Sequence, residues 1–173
     1  MRNLPLKVLV LWCCGLCAGG CTARAGGGHV HGLPLRVLYQ DALCGGSGPA
    51  AAQVTGPEHL TRIISEAGEA VIGRPPKAPA VDFAADNVVL IRMGQQPTGG
   101  YGIELAEPQA RLENGAAMIR LRWIEPVPGT VSTQALTSPC LIVELPKGTY
   151  RKIVITDESG KIRGEISVGA IRD

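Results

Sequence analysis

Six cysteines and three histidines are the side chains of this chain with the greatest chemical potential, and their spacing decides what each can do. A thiolate beside an imidazole would make a nucleophile, and clustered Cys and His would hold zinc. His29 and His31 have no Cys, Asp or Glu close by in sequence and form an incomplete ligand set. His59 stands between polar positions of a helical pattern, as a solvated residue would, which leaves Cys44 or Cys140 with His59 as the one conceivable thiol pair. Gly46-Ser47-Gly48 lacks the Gly-x-Ser-x-Gly spacing of a hydrolase elbow, and no Gly-Lys-Ser or Gly-Lys-Thr marks a phosphate loop. The expectation is a noncatalytic protein with no cofactor, no metal site and no catalytic residue.

Four of the six cysteines fall within the first 21 residues. Arg2 and Lys7 precede an apolar stretch that ends in Ala18, Gly19, Gly20 and Cys21, which is the basic, apolar, small order of a signal peptide. The apolar run is 14 residues, Val8 to Cys21, whereas a bilayer-spanning helix needs about 20. Leu16-Cys17-Ala18-Gly19-Gly20-Cys21 resembles the lipobox of bacterial lipoproteins, with Ala18 where that family most often has Leu. The resemblance implies removal of residues 1–20 and acylation of Cys21, palmitate included, in the bacterial cell envelope. Thr22 stands where inner-membrane lipoproteins typically carry Asp, which points to the outer membrane.

With Cys13, Cys14 and Cys17 removed and Cys21 acylated, Cys44 and Cys140 remain. They are either one disulfide in an oxidising compartment or two separate buried thiols. Loss of Arg2 and Lys7 from 17 basic residues leaves 15 against 15 acidic ones, a neutral chain without the basic excess of a nucleic-acid binder.

The elements that must position these residues follow from periodicity. Residues 21–34 are glycine-rich and read as a lipidated flexible tether, and residues 35–173 as a single β-rich domain. Leu35, Val37 and Tyr39 alternate with Arg36 and Gln40 as in a strand with one polar face. Thr55 and Glu58 have capping-box spacing, Pro57 suits a first turn, and Leu60, Ile63, Ile64 and Ala67 repeat at helical intervals, predicting a helix over 56–67. Asn87 to Met93 is an apolar run suited to a strand covered on both faces. Tyr101 to Leu105, Ala117 to Trp123, Leu141 to Leu145, Ile153 to Ile155 and Ile162 to Val168 supply further strands. In the second of these, Arg120 and Arg122 point to solvent and Trp123 inward. The expected fold is mainly β: an antiparallel β-sandwich with one α-helix on its N-terminal side.

One motif stands apart. Pro97-Thr98-Gly99-Gly100-Tyr101 joins two predicted strands, and its paired glycines suit a tight hairpin. A hairpin does not account for its setting: Val81-Asp82-Phe83 before the apolar strand, a Trp-centred strand after it, then Leu136-Thr137-Ser138-Pro139. In this order, over about residues 80–146, the pieces resemble the C-terminal domain of the PrcB family, accessory lipoproteins of bacterial protease complexes. The resemblance implies a protein that binds or supports assembly of an envelope or surface partner, a protease among the candidates, with Pro97, Thr98, Gly99, Gly100 and Tyr101 as a partner-binding loop. Cys140 departs from the aromatic or aliphatic residue expected at its position. The same loop is similar to the Asn-Pro-Thr-Thr-Gly-Tyr loop of chagasin-type inhibitors of cysteine proteases, with Gln96 for the Asn and Gly99 for the second Thr. Direct protease inhibition is therefore an alternative, and a structural or small-ligand-binding envelope lipoprotein is a third.

Overall fold

Val88, Val89, Leu90 and Ile91 present no polar face, and in the structure both their faces are covered. The structure, a computed structural model, describes residues 32–68 and 76–169. The signal segment 1–20, the acylation site Cys21, His29, His31 and all of the tether before Gly32 lie outside the described residues. The elements run β1 (Leu33–Pro34), β2 (Arg36–Asp41), β3 (Ala50–Val54), α1 (Pro57–Gly68), β4 (Asp86–Arg92) and β5 (Gly102–Leu105). They continue with β6 (Gln109–Glu113), β7 (Ala116–Ile124), β8 (Cys140–Pro146), β9 (Lys152–Asp157) and β10 (Ile162–Ser167).

Two sheets stack as a β-sandwich. The first is antiparallel, in the order β2-β8-β4-β3; the second has the order β1-β6-β7-β9-β10, with β5 also on β7. Alternate residues of the central strands point to opposite sides. Val89, Ile91, Leu141, Val143 and Leu145 meet Ile103, Ile119, Leu121, Ile153 and Ile155 of the second sheet in the main core. Val88, Leu90 and Ile142 face the other way and are covered by Leu60, Ile63, Ile64 and Ala67 of α1. The helix thus forms a third layer, and each fully buried aliphatic side chain contributes roughly 1.5–3 kcal/mol.

Several expectations are corrected. The sheets are not wholly antiparallel: β7 and β9 run parallel, because the chain passes through β8 in the opposite sheet between them. Leu33 and Pro34 are not tether but pair with β6, where proline is tolerated because the strand lies at a sheet edge. The first carbonyl of the helix is that of Gly56, not Thr55, and it accepts from Leu60 N at 3.0 Å, since Pro57 sets the first helical position. The expected Thr55–Glu58 box is replaced by the His59 ring, whose Nδ1 lies 3.4 Å from Thr55 N. Strands β3 and β6 escape sequence reading because Ala50-Ala51-Ala52 is weak in β propensity and four of the five β6 residues are exposed.

The sandwich is closed at both sides. At Leu35 the chain steps from β1 in one sheet to β2 in the other, with Leu35 N donating to Pro108 O at 2.9 Å. On the far side, β10 approaches β3 so closely that a side chain at Gly164 would collide with Ala51.

Candidate functional site

The segment between β4 and β5 crosses from one sheet to the other, so the hairpin reading of the paired glycines is replaced by an inter-sheet connection. It leaves β4 through Gly94 at φ +80°, where a Cβ would lie 2.7 Å from the carbonyl carbon of Gly48. A left-handed conformation and backbone contact together require glycine here.

Beyond Gly94 the segment is braced by the stretch preceding β8. Gln96 and Thr137 exchange both backbone hydrogen bonds, at 2.7 and 3.0 Å. Gly99 N donates to Thr133 O at 2.9 Å, and the Thr137 hydroxyl donates to Thr98 O at 2.9 Å. Gly100, at φ +89°, rests on the Pro126 ring. Tyr101 packs partly buried on the inter-sheet core, while Pro97 and Gly100 are exposed. Of the five residues expected to meet a partner, Pro97, Thr98, Gly99 and Gly100 form the accessible rim and Tyr101 anchors it.

A third segment joins them. Ser138 N donates to Ala42 O, Cys44 N donates to Ser138 O, and the Ser138 hydroxyl donates to Gly45 O at 2.6 Å. Cys44 and Cys140 form a disulfide with a Cα–Cα distance of 5.7 Å, and both residues are buried. The thiol-nucleophile option thereby disappears, because neither described cysteine is free. Between Leu43, Gly46, Gln95 and Leu136 lies a recess of about 370 Å³.

The loop from β7 to β8 carries the Leu136 to Pro139 motif at its end, and its exposed aliphatic side chains dominate the surface of this end. Val127 and Leu136 are 69% and 62% exposed and Val131 is fully so, which makes three of the six large hydrophobics exposed among the described residues. Across residues 42–48, 93–101 and 125–139 the sole charged side chain is that of Glu125. The signal was legible: Val127, Val131 and Leu136 are apolar residues with no strand or helix periodicity to bury them.

Charge is concentrated elsewhere. On the outer face of the second sheet, Arg122 pairs with Glu104 at 3.0 Å and Arg111 with Glu107 at 2.7 Å, while Arg120 donates to the Glu158 carbonyl at 2.7 Å. Arg120 and Arg122 are thus satisfied within the domain. Trp123 lies in β7 under the Arg163 guanidinium, which stands 4.4 Å from its ring centroid. Arg163 also reaches Asp157, whose buried carboxylate accepts from the Ser159 hydroxyl and the Lys161 amide. The Ser159 hydroxyl is the largest of the influences holding that carboxyl down to about 2.

The Val81-Asp82-Phe83 motif lies at the opposite end of the sandwich. Asp82 accepts from Ala84 N and Asp86 N, and Lys147 Nζ donates to Phe83 O at 2.8 Å. Beside this turn Arg36 pairs with Glu144, and the Asp86 carboxyl is raised, first by burial and then by the Glu144 carboxylate. The three family-bearing motifs therefore divide: two build one end and the third shapes the turn into β4 at the other.

Comparison with curated proteins and with solved structures found no match. A family model described as PrcB C-terminal matches residues 87–146, from β4 through the braced loops to the end of β8. Residues 87–146 are therefore similar to the PrcB C-terminal domain, in agreement with the likeness that the PTGGY and LTSP motifs carry.

Proposed function

We propose that the protein is a noncatalytic, lipid-anchored envelope protein that binds a partner protein through the end built by Pro97 to Gly100, Val127, Val131 and Leu136. One observation carries this reading: three aliphatic side chains stand exposed on loops whose backbones are cross-braced to one another. Exposed apolar groups cost little order to bury when the loops that hold them are already fixed. The near absence of charge there suits the central part of a protein interface, which is depleted in charged residues. The PrcB family suggests a subunit of a protease complex as the partner class. Acylation at Cys21 would supply the anchor, and the outer membrane is the proposed location.

The test is affinity capture after crosslinking in envelope preparations, with wild type, Leu136→Asp and Tyr101→Ala compared. Loss of the same partner in both folded variants supports the reading. Unchanged capture removes this end from the account. Fatty-acid labelling that is abolished in Cys21→Ser supports the anchor, and equal labelling would eliminate it. Titration against papain-like proteases distinguishes inhibition: a saturable loss of protease activity would favour that alternative.

A further inference from the structure

We infer that the lipid anchor holds the domain with its Asn114–Gly115 end toward the bilayer and displays the Val127, Val131 and Leu136 end away from it. The partner is then a protein lying outside the headgroup layer. This orientation rests on the lipid-anchored reading above.

The direction of β1 carries the argument. β1 is antiparallel to β6, with Pro34 opposite Gln109 and Leu33 opposite Ala110. Stepping back along the chain from Pro34 therefore moves along β6 toward Glu113 and the Asn114–Gly115 turn. The entry is pinned on both sides of β1. Leu35 N is bonded to Pro108 O, and a Cβ on Gly32 would lie 2.9 Å from that of Gln109. The Asn114–Gly115 turn shares its end of the sandwich with the Asp82 turn and the start of β9, since Arg151 N donates to Gly115 O and Lys147 N to Ala85 O. The braced loops occupy the other end, beyond Arg92, Ile124 and Cys140.

Length then selects the orientation. Ten residues, 22–31, separate Cys21 from Gly32. A flexible chain of that size has a mean reach of about 18 Å. At about 3.3 Å per strand residue, the Asn114–Gly115 turn lies about 10 Å along β6 from the level of Gly32, and Tyr101, one step beyond the Gly102–Ile124 pair, about 23 Å in the other direction. The mean reach spans the first distance and not the second.

The experiment uses the acylated full chain in phosphatidylethanolamine and phosphatidylglycerol vesicles carrying a headgroup-linked, short-range quencher. A dye is introduced as an unnatural amino acid at Glu113 or at Val131, leaving the cysteines intact. Quenching several-fold greater at 113 than at 131 is expected, and insertion of ten Gly-Ser residues after Gly28 should shrink the difference. Equal or reversed quenching, with wild type floating on vesicles and Cys21→Ser not, overturns the orientation and leaves the anchor standing. Failure of the wild type to float overturns both.

Discussion

Gln96 and Thr137, 41 positions apart in sequence, exchange paired backbone hydrogen bonds and so fasten the crossover between the sheets to the segment entering β8. Around that bridge the Thr137 hydroxyl holds Thr98, Gly99 donates to Thr133, and Ser138 holds the Gly45 carbonyl. What looks in sequence like three unrelated loops is one cross-linked surface.

Thr137→Val keeps side-chain shape and deletes the hydroxyl. One hydrogen bond of this kind contributes about 1 kcal/mol. Urea unfolding should register a loss of that size, and amide exchange should quicken at Thr98 to Tyr101 more than in β4. Uniform exchange changes would show that the bond does not brace the loop.

The Cys44–Cys140 disulfide closes a separation of 96 residues. In the chain-entropy model such a crosslink stabilises by up to about 4–5 kcal/mol. The Cys44→Ala/Cys140→Ala variant should lose much of that in equilibrium unfolding. Because both cysteines are buried, the native disulfide should resist a dithiol reductant until unfolding exposes it. Rapid reduction of the folded chain would contradict this.

Gly94 and Gly115 form a matched pair, both at positive φ, but only Gly94 faces backbone within contact distance. Gly115→Ala should cost about 1 kcal/mol from the left-handed conformation alone. Gly94→Ala should cost about 2 kcal/mol or more, because the Gly48–Pro49 backbone must also move. Equal losses in thermal unfolding would mean that the loop yields easily.

Asp157 and Asp86 should respond to acid in opposite senses. The folded Asp157 carboxyl sits at about 2, below its ordinary 3.8, held there chiefly by the Ser159 hydroxyl. Its contribution to stability is complete above the ordinary value and is lost as pH falls toward 2. Asp157→Asn should flatten that limb of the stability curve. The Asp86 carboxyl is raised, mainly by burial and then by Glu144, so ionising it opposes folding as pH rises past its ordinary value. Asp86→Asn should therefore stabilise the protein near neutral pH and give no gain near pH 3.

Leu136→Asp and Val131→Asp lie on exposed loop surface and should change stability by no more than about 0.5 kcal/mol. If this end binds the partner, both should weaken capture strongly in a chain that melts as wild type does. A fall in melting temperature that tracks the fall in capture would assign the effect to folding instead.

Local chemistry was enough to read much of this protein from the chain. The i, i+3, i+4 spacing of Leu60, Ile63 and Ile64 specifies a helix with one apolar stripe, and the unbroken run Val88 to Ile91 specifies a strand with two buried faces. The PTGGY and LTSP motifs marked residues 97–101 and 136–139 through their likeness to the PrcB C-terminal domain, not through periodicity. The tertiary structure alone decided what those pieces do together. Whether paired glycines close a hairpin or carry the chain between sheets depends on which sheet the next strand joins, a choice made by long-range burial of Ile103 and Leu141 in one core. The pairing of Gln96 with Thr137 and of Cys44 with Cys140, and the exposure of Val127, Val131 and Leu136, likewise arise from contacts between distant segments. A periodicity of 2 or 3.6 reports which face of an element is buried, but it does not report which other element covers it.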